Sequence, residues 1–345
     1  MKFAILFGGM SYEHEISIVS AIALKKVLKT EPKFIFCSSE REFFLIEPKN
    51  MKAKHFSSGS FRKDPKLSLT NGGFFLSKIF GKQKIDFDAI VNLIHGSDGE
   101  DGKIASLLEF FGVEFIGANL EASAISYSKL WTKYLAQEVG VKTLSYKQIT
   151  RESPNFDFKL PVILKPTHLG SSIGLSVVKE NSQLEYAKDV AFEFDKSILV
   201  EPFIEGVKEY NLAGCLTKDG FCFGVIEEPQ KKELLDFDQK YLDFSRSSKV
   251  KDANISEDLR KKMREAFKKI YLPYFKGALI RCDFFVIDGE VYINEINPHP
   301  GSLANYLFED FENVLEKLAQ NLPKRQKIKV DYSYIHSIHS AKGKL

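Results

Sequence analysis

The stretch that most constrains the fold is Gly277 to Gly301, GALIRCDFFVIDGEVYINEINPHPG. Ala278 to Ile287 is rich in Ile, Val and Phe, Asp288-Gly289 is a turn dipeptide, and Val291 to Ile296 is a second strand-forming run. Two such runs around Asp-Gly predict a β-hairpin. Asp283, Glu295 and Asn297 are oxygen donors on it, and Arg281 is a cation beside them.

Side chains alternate between the faces of a strand, so the pairing register decides which of these groups meet. A strict two-residue turn at Asp288-Gly289 would pair Asp283 with Asn294 and send Glu295 to the opposite face. A three-residue loop, Asp288-Gly289-Glu290, pairs Asp283 with Glu295 and Arg281 with Asn297. In that register one face carries Arg281, Asp283, Glu295 and Asn297 at one end and Phe285, Ile287, Val291 and Ile293 near the turn. The other face carries Cys282, Phe284, Val286, Tyr292 and Ile296. Two carboxylates and an amide oxygen suit Mg²⁺ bound with phosphates, because Mg²⁺ prefers oxygen and keeps positions open for a substrate. Taken alone, the hairpin reads more readily as a solvated strand end with an ion pair.

The rest of the chain narrows the choice. Its 345 residues suffice for two or three domains with sizeable cores. A net charge of +3 gives no electrostatic footprint for nucleic acid. Cys37, Cys215, Cys222 and Cys282 form no CxxC pair, which points to a reducing compartment and buried thiols. The opening MKFAILFGG is too short an apolar run for a signal peptide, and no run of 18 apolar residues predicts a membrane span. The 30 phenylalanines are dispersed and read as core filling.

Phe3 to Phe7 predicts a buried strand, Gly8-Gly9 a turn, and the following residues a helix with Val19, Ile22, Ala23 and Val27 on one face. Ligands of such α/β units bind beyond the carboxyl end of the strand, where Glu13 and His14 fall. Glu13 reads equally as an acidic residue favoured near a helix N-terminus. Residues 31–86 predict short Phe-rich strands, with surface loops around Ser57 to Gly73. Ala89 to Ile94 is a second strand running into HGSDGEDG, a loop suited to an anion, with His95 at its start. Glu121 to Gln137 predicts one helix with Lys129 and Lys133 on a shared face, a cost unless something anionic answers them. Leu160 to Lys165 and Leu175 to Lys179 flank a Gly/Ser loop able to close over phosphates, with Lys165 at its mouth. Ile198 to Ile204 is an apolar strand holding Glu201, which needs a partner: an adenine amino group, or a nearby lysine. Glu228 to Asp252 is polar and reads as a long mobile lid, and helix 256–272 leads back to the hairpin.

GGMSYEHEIS, HGSDGEDG, LKPTHLGSSIG, KYLDF and RCDFF…NEINPHPG, in this order, resemble the D-alanine–D-alanine ligase family. The resemblance covers nearly the whole chain and implies an α/β (α+β) ATP-grasp fold with ATP between two β-sheet lobes. It implies an N-terminal substrate domain over 1–117, a central lid domain over 118–198, and a C-terminal domain over 199–345 with the hairpin and the mobile loop 228–252. By the same resemblance Asp283, Glu295 and Asn297 hold Mg²⁺ or Mn²⁺, two ions in all. Lys129 and Lys165 bind phosphates, Glu201 and Ile204 lie at adenine, and Glu209 at the ribose. Glu13, Ser171 and Tyr241 form a trio that closes the site and orients the first D-alanine, whose carboxylate meets His95. Lys240 lies near the phosphate and second substrate, and Gly301, Ser302 and Leu303 by the second D-alanine, with Arg281 and the Gly301 amide facing the oxyanion.

The implied activity is ATP-dependent formation of D-alanyl-D-alanine for peptidoglycan precursors, through a D-alanyl phosphate. Cytoplasmic residence and a homodimer, with no nucleic-acid or membrane partner, are the accompanying expectations. Two rivals stand beside it: another ATP-grasp carboxylate–amine ligase, and a non-catalytic nucleotide-binding regulator.

Overall fold

The computed structural model describes residues 1–229, 249–324 and 328–342. Lys240 and Tyr241, and most of the expected lid, lie outside the described residues. Three sheets organise the rest.

The first sheet has eight strands. At its heart is Phe3–Gly8, buried along its whole length as a central parallel strand must be. Lys33–Cys37 and Ala89–Asn92 pair with it in parallel on either side, and Phe115–Ile116 follows beyond Ala89–Asn92. Residues 31–86 are more regular than their composition suggests: Phe43–Ile46, Lys66–Thr70, Gly73–Ser77 and Lys82–Lys84 extend the other edge as antiparallel strands. Their strand character comes from pairing with neighbours, which local propensity does not report. The phenylalanines do fill core: Phe7, Phe34, Phe36, Phe56 and Phe61 pack ring against ring, with centroids 4.8 to 6.5 Å apart. Helix His14–Val27 turns Ile18, Ala21 and Leu24 inward; of the expected face Ala23 is buried, while Val19, Ile22 and Val27 are half-buried on its flank. The expected face was rotated because the Gly301–Leu307 turn covers the helix from a second side.

The second sheet orders Lys147–Thr150, Ser197–Pro202, Val162–Pro166 and Ser176–Val178, all antiparallel. Helix Leu184–Phe194 covers one face, where Val162, Leu164, Ile198 and Val200 are buried. Alternation sends Lys165 and Glu201 to the other face.

The third sheet orders Gly220–Phe223, Lys208–Thr217, Ile280–Ile287 and Glu290–Asn297, with Lys142–Thr143 parallel at its edge. Helix Glu257–Tyr274 starts at Ser256, whose side chain accepts from the Leu259 amide, and buries Met263, Phe267 and Ile270. These meet Cys282, Phe284, Val291, Ile293 and Ile296 in one core, leaving the polar row of the hairpin on the opposite face.

The single helix expected over Glu121 to Gln137 is two, Leu120–Tyr127 and Lys129–Glu138. Ser128 breaks it: its backbone is extended (φ −92°, ψ 113°), and its side chain accepts from the Trp131 amide. Apolar periodicity runs through the break because both helices face the same core. Lys129 is thereby the first residue of a capped helix.

Candidate active site

The hairpin pairs Arg281 with Asn297 and Asp283 with Glu295, the register expected at this end. The reason differs. The turn is the strict two-residue one, with Asp288 at φ 51° and Gly289 at φ 74°, as a mirror-image type I′ turn requires. Near it Phe284 pairs with Ile293 and Phe285 with Tyr292, so the register shifts by one between Asp283 and Phe284. Asn294 is the extra residue, a β-bulge beside the site. The faces near the turn are corrected accordingly. Val291 and Ile293 are in the core, and Tyr292 shares the site-side face with Phe285 and Ile287.

On that face Arg281 grips Asp283 with two parallel bonds, Nε to Oδ1 at 2.7 Å and Nη2 to Oδ2 at 2.8 Å. Burial opposes its charge, but Asp283 and Tyr306 hold the guanidinium pKa well above its ordinary value. Asn297 Nδ2 donates to Asp283 Oδ2 at 3.0 Å. Strand Lys208–Thr217 continues the row, with Asn211 beside Asp283 and Glu209 beside Phe285.

The first sheet brings its own groups to the same place. Phe3–Gly8 and Ala89–Asn92 are parallel neighbours, so the loops after both leave from one edge and bring Glu13 and His95 there. Glu13 is 4% exposed. The Ser171 hydroxyl, on the loop between Val162–Pro166 and Ser176–Val178, donates to Glu13 Oε1 at 2.5 Å. Ser171 and Ser172 are both left-handed (φ 54° and 57°), a strained pair of residues of the kind that turns backbone amides towards an anion. A side chain at Gly96 (φ 66°) would place its Cβ 2.3 Å from Ser11 Oγ and 2.7 Å from Glu13 Oε2, so the approach of these loops needs glycine. His95 is buried, its Nδ1 paired with the Leu93 carbonyl at 2.8 Å, and burial pushes its pKa down to about 4. It is therefore a neutral imidazole, suited to a hydrogen bond more than to charge.

Glu201 has its partner in lysine. Lys165 Nζ lies 2.6 Å from Glu201 Oε2, and Lys133 contacts Oε1. Burial would raise the Glu201 pKa, but Lys165 and Lys133 hold it at about 2. Lys165 also donates to Asn294 Oδ1 at 3.2 Å, joining the second sheet to the hairpin bulge. Lys129 reaches the Leu169 carbonyl on the Gly/Ser loop and lies 3.9 Å from Glu295 Oε1. The lysine pair is thus answered by carboxylates, and Lys133 is in no sense a solvated residue: it is 1% exposed.

Reasoning from sequence singled out Lys133 beside Lys129 without assigning it a role, and missed Glu100 and Asn294 as members of this site. Glu100 follows Gly99 in the HGSDGEDG loop, and its pKa is raised well above the usual range by burial and by the charges of Glu13 and Glu295. An acid among glycines was the available signal. Glu100 thus lies within electrostatic reach of Glu13, Glu295 and Lys129. Among the described residues no three His, Cys, Asp or Glu side chains form a ready-made metal cluster. The donor set of Asp283, Glu295 and Asn297, two carboxylates and an amide, fits a hard cation that completes its sphere with phosphate and water.

The remaining expected residues lie at two other places. Ile204 falls just past strand Ser197–Pro202 and lines a cavity of about 560 Å³ at the turn end of the hairpin, with Lys208, Ser256 and Asp288, away from the carboxylates. Gly301 begins a tight turn in which Ser302, Leu303 and Ala304 are all left-handed, with φ from 49° to 50°. The Ser302 amide donates to Ser20 Oγ at 3.1 Å, which fixes the turn to the first helix, and Leu303 is buried in the core beneath it. His299, just before the turn, is buried against Asn92, its Nε2 3.3 Å from Asn92 Nδ2.

Known proteins resemble this chain along nearly its whole length. Two family models match, D-ala D-ala ligase N-terminus over residues 2–118 and D-ala D-ala ligase C-terminus over residues 135–311. A D-alanine–D-alanine ligase of Campylobacter lari is 59% identical over 346 residues, covering 100% of both chains. One from Campylobacter concisus is 61% identical over 344 residues, covering 99% of each. The crystal structure of a D-alanine–D-alanine ligase from Helicobacter pylori superposes with a TM-score of 0.84 at 50% identity, over 94% of this chain and 100% of that one.

Proposed function

The chain belongs to the D-alanine–D-alanine ligase family, and from that premise we propose that it joins two D-alanine molecules with ATP, supplying D-alanyl-D-alanine for peptidoglycan. The observation that carries the reading is the convergence of the Asp283–Glu295 hairpin, the Lys129 and Lys165 ammonium groups and the Glu13–Ser171 contact. It is a site with charge for a triphosphate and a loop to close it.

A carboxylate resists attack by an amine because its carbon is electron-rich and its leaving group poor. Transfer of the γ-phosphoryl group of ATP to the carboxylate of the first D-alanine gives D-alanyl phosphate and ADP. The amine of the second D-alanine then attacks the acyl carbon, and the tetrahedral intermediate expels inorganic phosphate. Such phosphoryl transfer is mostly positioning and charge neutralisation. Lys129 and Lys165 face the phosphates, Glu201 and Ile204 the adenine, and Glu209 the ribose. Asp283, Glu295 and Asn297 would hold Mg²⁺ or Mn²⁺, two ions in all, which supply further neutralisation of phosphate charge. Glu13, Ser171 and Tyr241 orient the first D-alanine, and His95 lies at its carboxylate. Arg281 and the Gly301 amide meet the oxyanion of the intermediate, where losing one donor costs on the order of 10²–10³ in rate. Lys240, Ser302 and Leu303 border the second D-alanine. Closure over the site keeps water from the acyl phosphate.

The test is phosphate release from ATP and Mg²⁺ with D-alanine, L-alanine or D-lactate, the product being identified by mass. D-alanine-dependent release with the dipeptide formed is the expected result. Release with a different acid or amine alone would move the protein to another carboxylate–amine ligation. ATP binding without release would make it a nucleotide-binding regulator. The same reading makes the protein a cytoplasmic homodimer, which cell fractionation and sedimentation velocity would test. Among the described residues no helix is long and apolar enough to cross a membrane.

A further inference from the structure

The function proposed above gives Lys133 nothing to do, yet its ammonium is buried deeply in the site, its side chain 2% exposed. Burying an ammonium is costly unless it is paired. Its partner is Glu201, 1% exposed, whose other oxygen already holds Lys165 at 2.6 Å. One carboxylate thus carries two ammonium groups, an excess of one positive charge in a dry place. Lys165 is the member with somewhere to go. It sits at the rim, 10% exposed, and its second contact, Asn294 Oδ1 at 3.2 Å, directs it towards the bulge next to Glu295.

We propose that Lys133 is a positioning residue that frees Lys165 for the phosphates of ATP: it remains as the counterion of Glu201 when Lys165 turns away. The physical reason is charge balance. Before ATP arrives the triad carries +1, and the departing ammonium meets phosphate while Lys133 and Glu201 stay behind as a neutral pair. Without Lys133 the departure of Lys165 would strand a buried carboxylate, and a buried ion pair resists losing one partner strongly. Lys165 would then stay on Glu201. Another neighbour of the Lys133 ammonium is the Tyr146 ring, its centroid 6.0 Å away, a weaker partner than a carboxylate. Lys133 projects from the interior of helix Lys129–Glu138, one turn along from Lys129, and burial lowers its pKa against the pull of Glu201.

The inference rests on the ATP reading of the site, and the experiment separates the two. Calorimetric titration would measure Mg²⁺-ATP and adenosine, which lacks phosphate, against the intact protein and against Lys133→Met. Wild-type protein that binds no ATP would overturn the ligase reading, and this inference with it. With ATP bound by the wild type, Lys133→Met is expected to weaken ATP by at least about tenfold and adenosine by less than about threefold. Equal losses for both ligands would make Lys133 an anchor of the adenine pocket and overturn the proposal, as would no loss in a folded variant. The double variant Lys133→Met/Glu201→Gln carries no stranded charge and is compared with Glu201→Gln alone. Here removing Lys133 is expected to cost ATP less than about threefold, and a tenfold further loss would also overturn the proposal. This second comparison decides the matter if Lys133→Met alone does not fold.

Discussion

Ser171 and Glu13 lie 158 residues apart in the chain, and the hydroxyl of one donates to the carboxylate of the other at 2.5 Å. The contact ties the Gly/Ser loop of the second sheet to the loop that follows the first strand, and so closes one side of the site. Ser171→Ala removes the tie while leaving the strained backbone in place. The expected outcome is a fall in kcat/KM for D-alanine of about 10²-fold, the usual scale for a displaced closing element. A looser closure also admits water to the acyl phosphate. Measured together, inorganic phosphate should then exceed dipeptide, whereas the wild type gives one of each. A ratio that stays at one in Ser171→Ala would argue that this contact does not exclude water.

The hairpin shows how far such a site is legible in sequence. Alternation left Asp283 opposite Glu295 with a three-residue turn or opposite Asn294 with a two-residue one, and Asp283 is paired with Glu295. A three-residue turn and a strand bulge both shift the register by one, and alternation cannot tell them apart. Asp288-Gly289 with both residues at positive φ is the better turn, and it pushes the extra residue to Asn294. Lys133 shows the opposite limit. Its helical spacing from Lys129 was visible, but Glu201, which answers it, lies on a strand of another sheet. Glu100 is similar: its repulsion with Glu13 and Glu295 exists only once three separate loops and strands meet. Ser128 was hidden for a different reason, since a capped break between two helices that share a core leaves the apolar pattern unbroken.

Ser128 positions Lys129, so its replacement has two readable effects. It is 3% exposed and caps helix Lys129–Glu138 through the Trp131 amide at 3.3 Å. Ser128→Ala is expected to cost about 1 kcal/mol of stability, with Ser128→Asn recovering most of it. Urea unfolding measures that. The KM for ATP should rise in Ser128→Ala and return towards normal in Ser128→Asn, because Lys129 is the first residue of the helix. Loss of stability with no change in KM would separate the cap from the phosphate site.

His95 makes stability depend on pH. Burial lowers its folded pKa from 6.5 to about 4, so the unfolded chain binds the proton more readily. Unfolding therefore takes up a proton between about pH 6.5 and 4. The contribution is fully present above about pH 6.5, falls as the pH drops through that window, and is on the order of 3 kcal/mol across it. Urea midpoints measured from pH 7 to 4 should show the decline, and His95→Gln should reduce its slope by about one proton. An unchanged slope in His95→Gln would place the acid sensitivity elsewhere.

Asp283 and Glu295 are paired across the hairpin, yet their replacement should not look alike. Glu295 is the more open of the two, its side chain 35% exposed, and its nearest cation is Lys129 at 3.9 Å. Glu295→Gln removes a charge from a crowded group of carboxylates and should leave thermal stability near that of the wild type. Asp283 is 7% exposed at its side chain and takes both bonds of the Arg281 fork. Asp283→Asn leaves a buried guanidinium with one neutral acceptor in place of a charged pair. The cost should be about 3 kcal/mol, the scale for breaking a buried pair from one side. Both variants should lose ATP turnover at millimolar Mg²⁺, because each removes a carboxylate from the donor set proposed for the cation. Differential scanning calorimetry and phosphate release on the same samples give four numbers. Lost turnover in Glu295→Gln with an unchanged melting temperature assigns the loss to the site, since the fold is then intact. Near-normal turnover in that variant would remove Glu295 from the donor set and leave Asp283 acting chiefly as the anchor of Arg281.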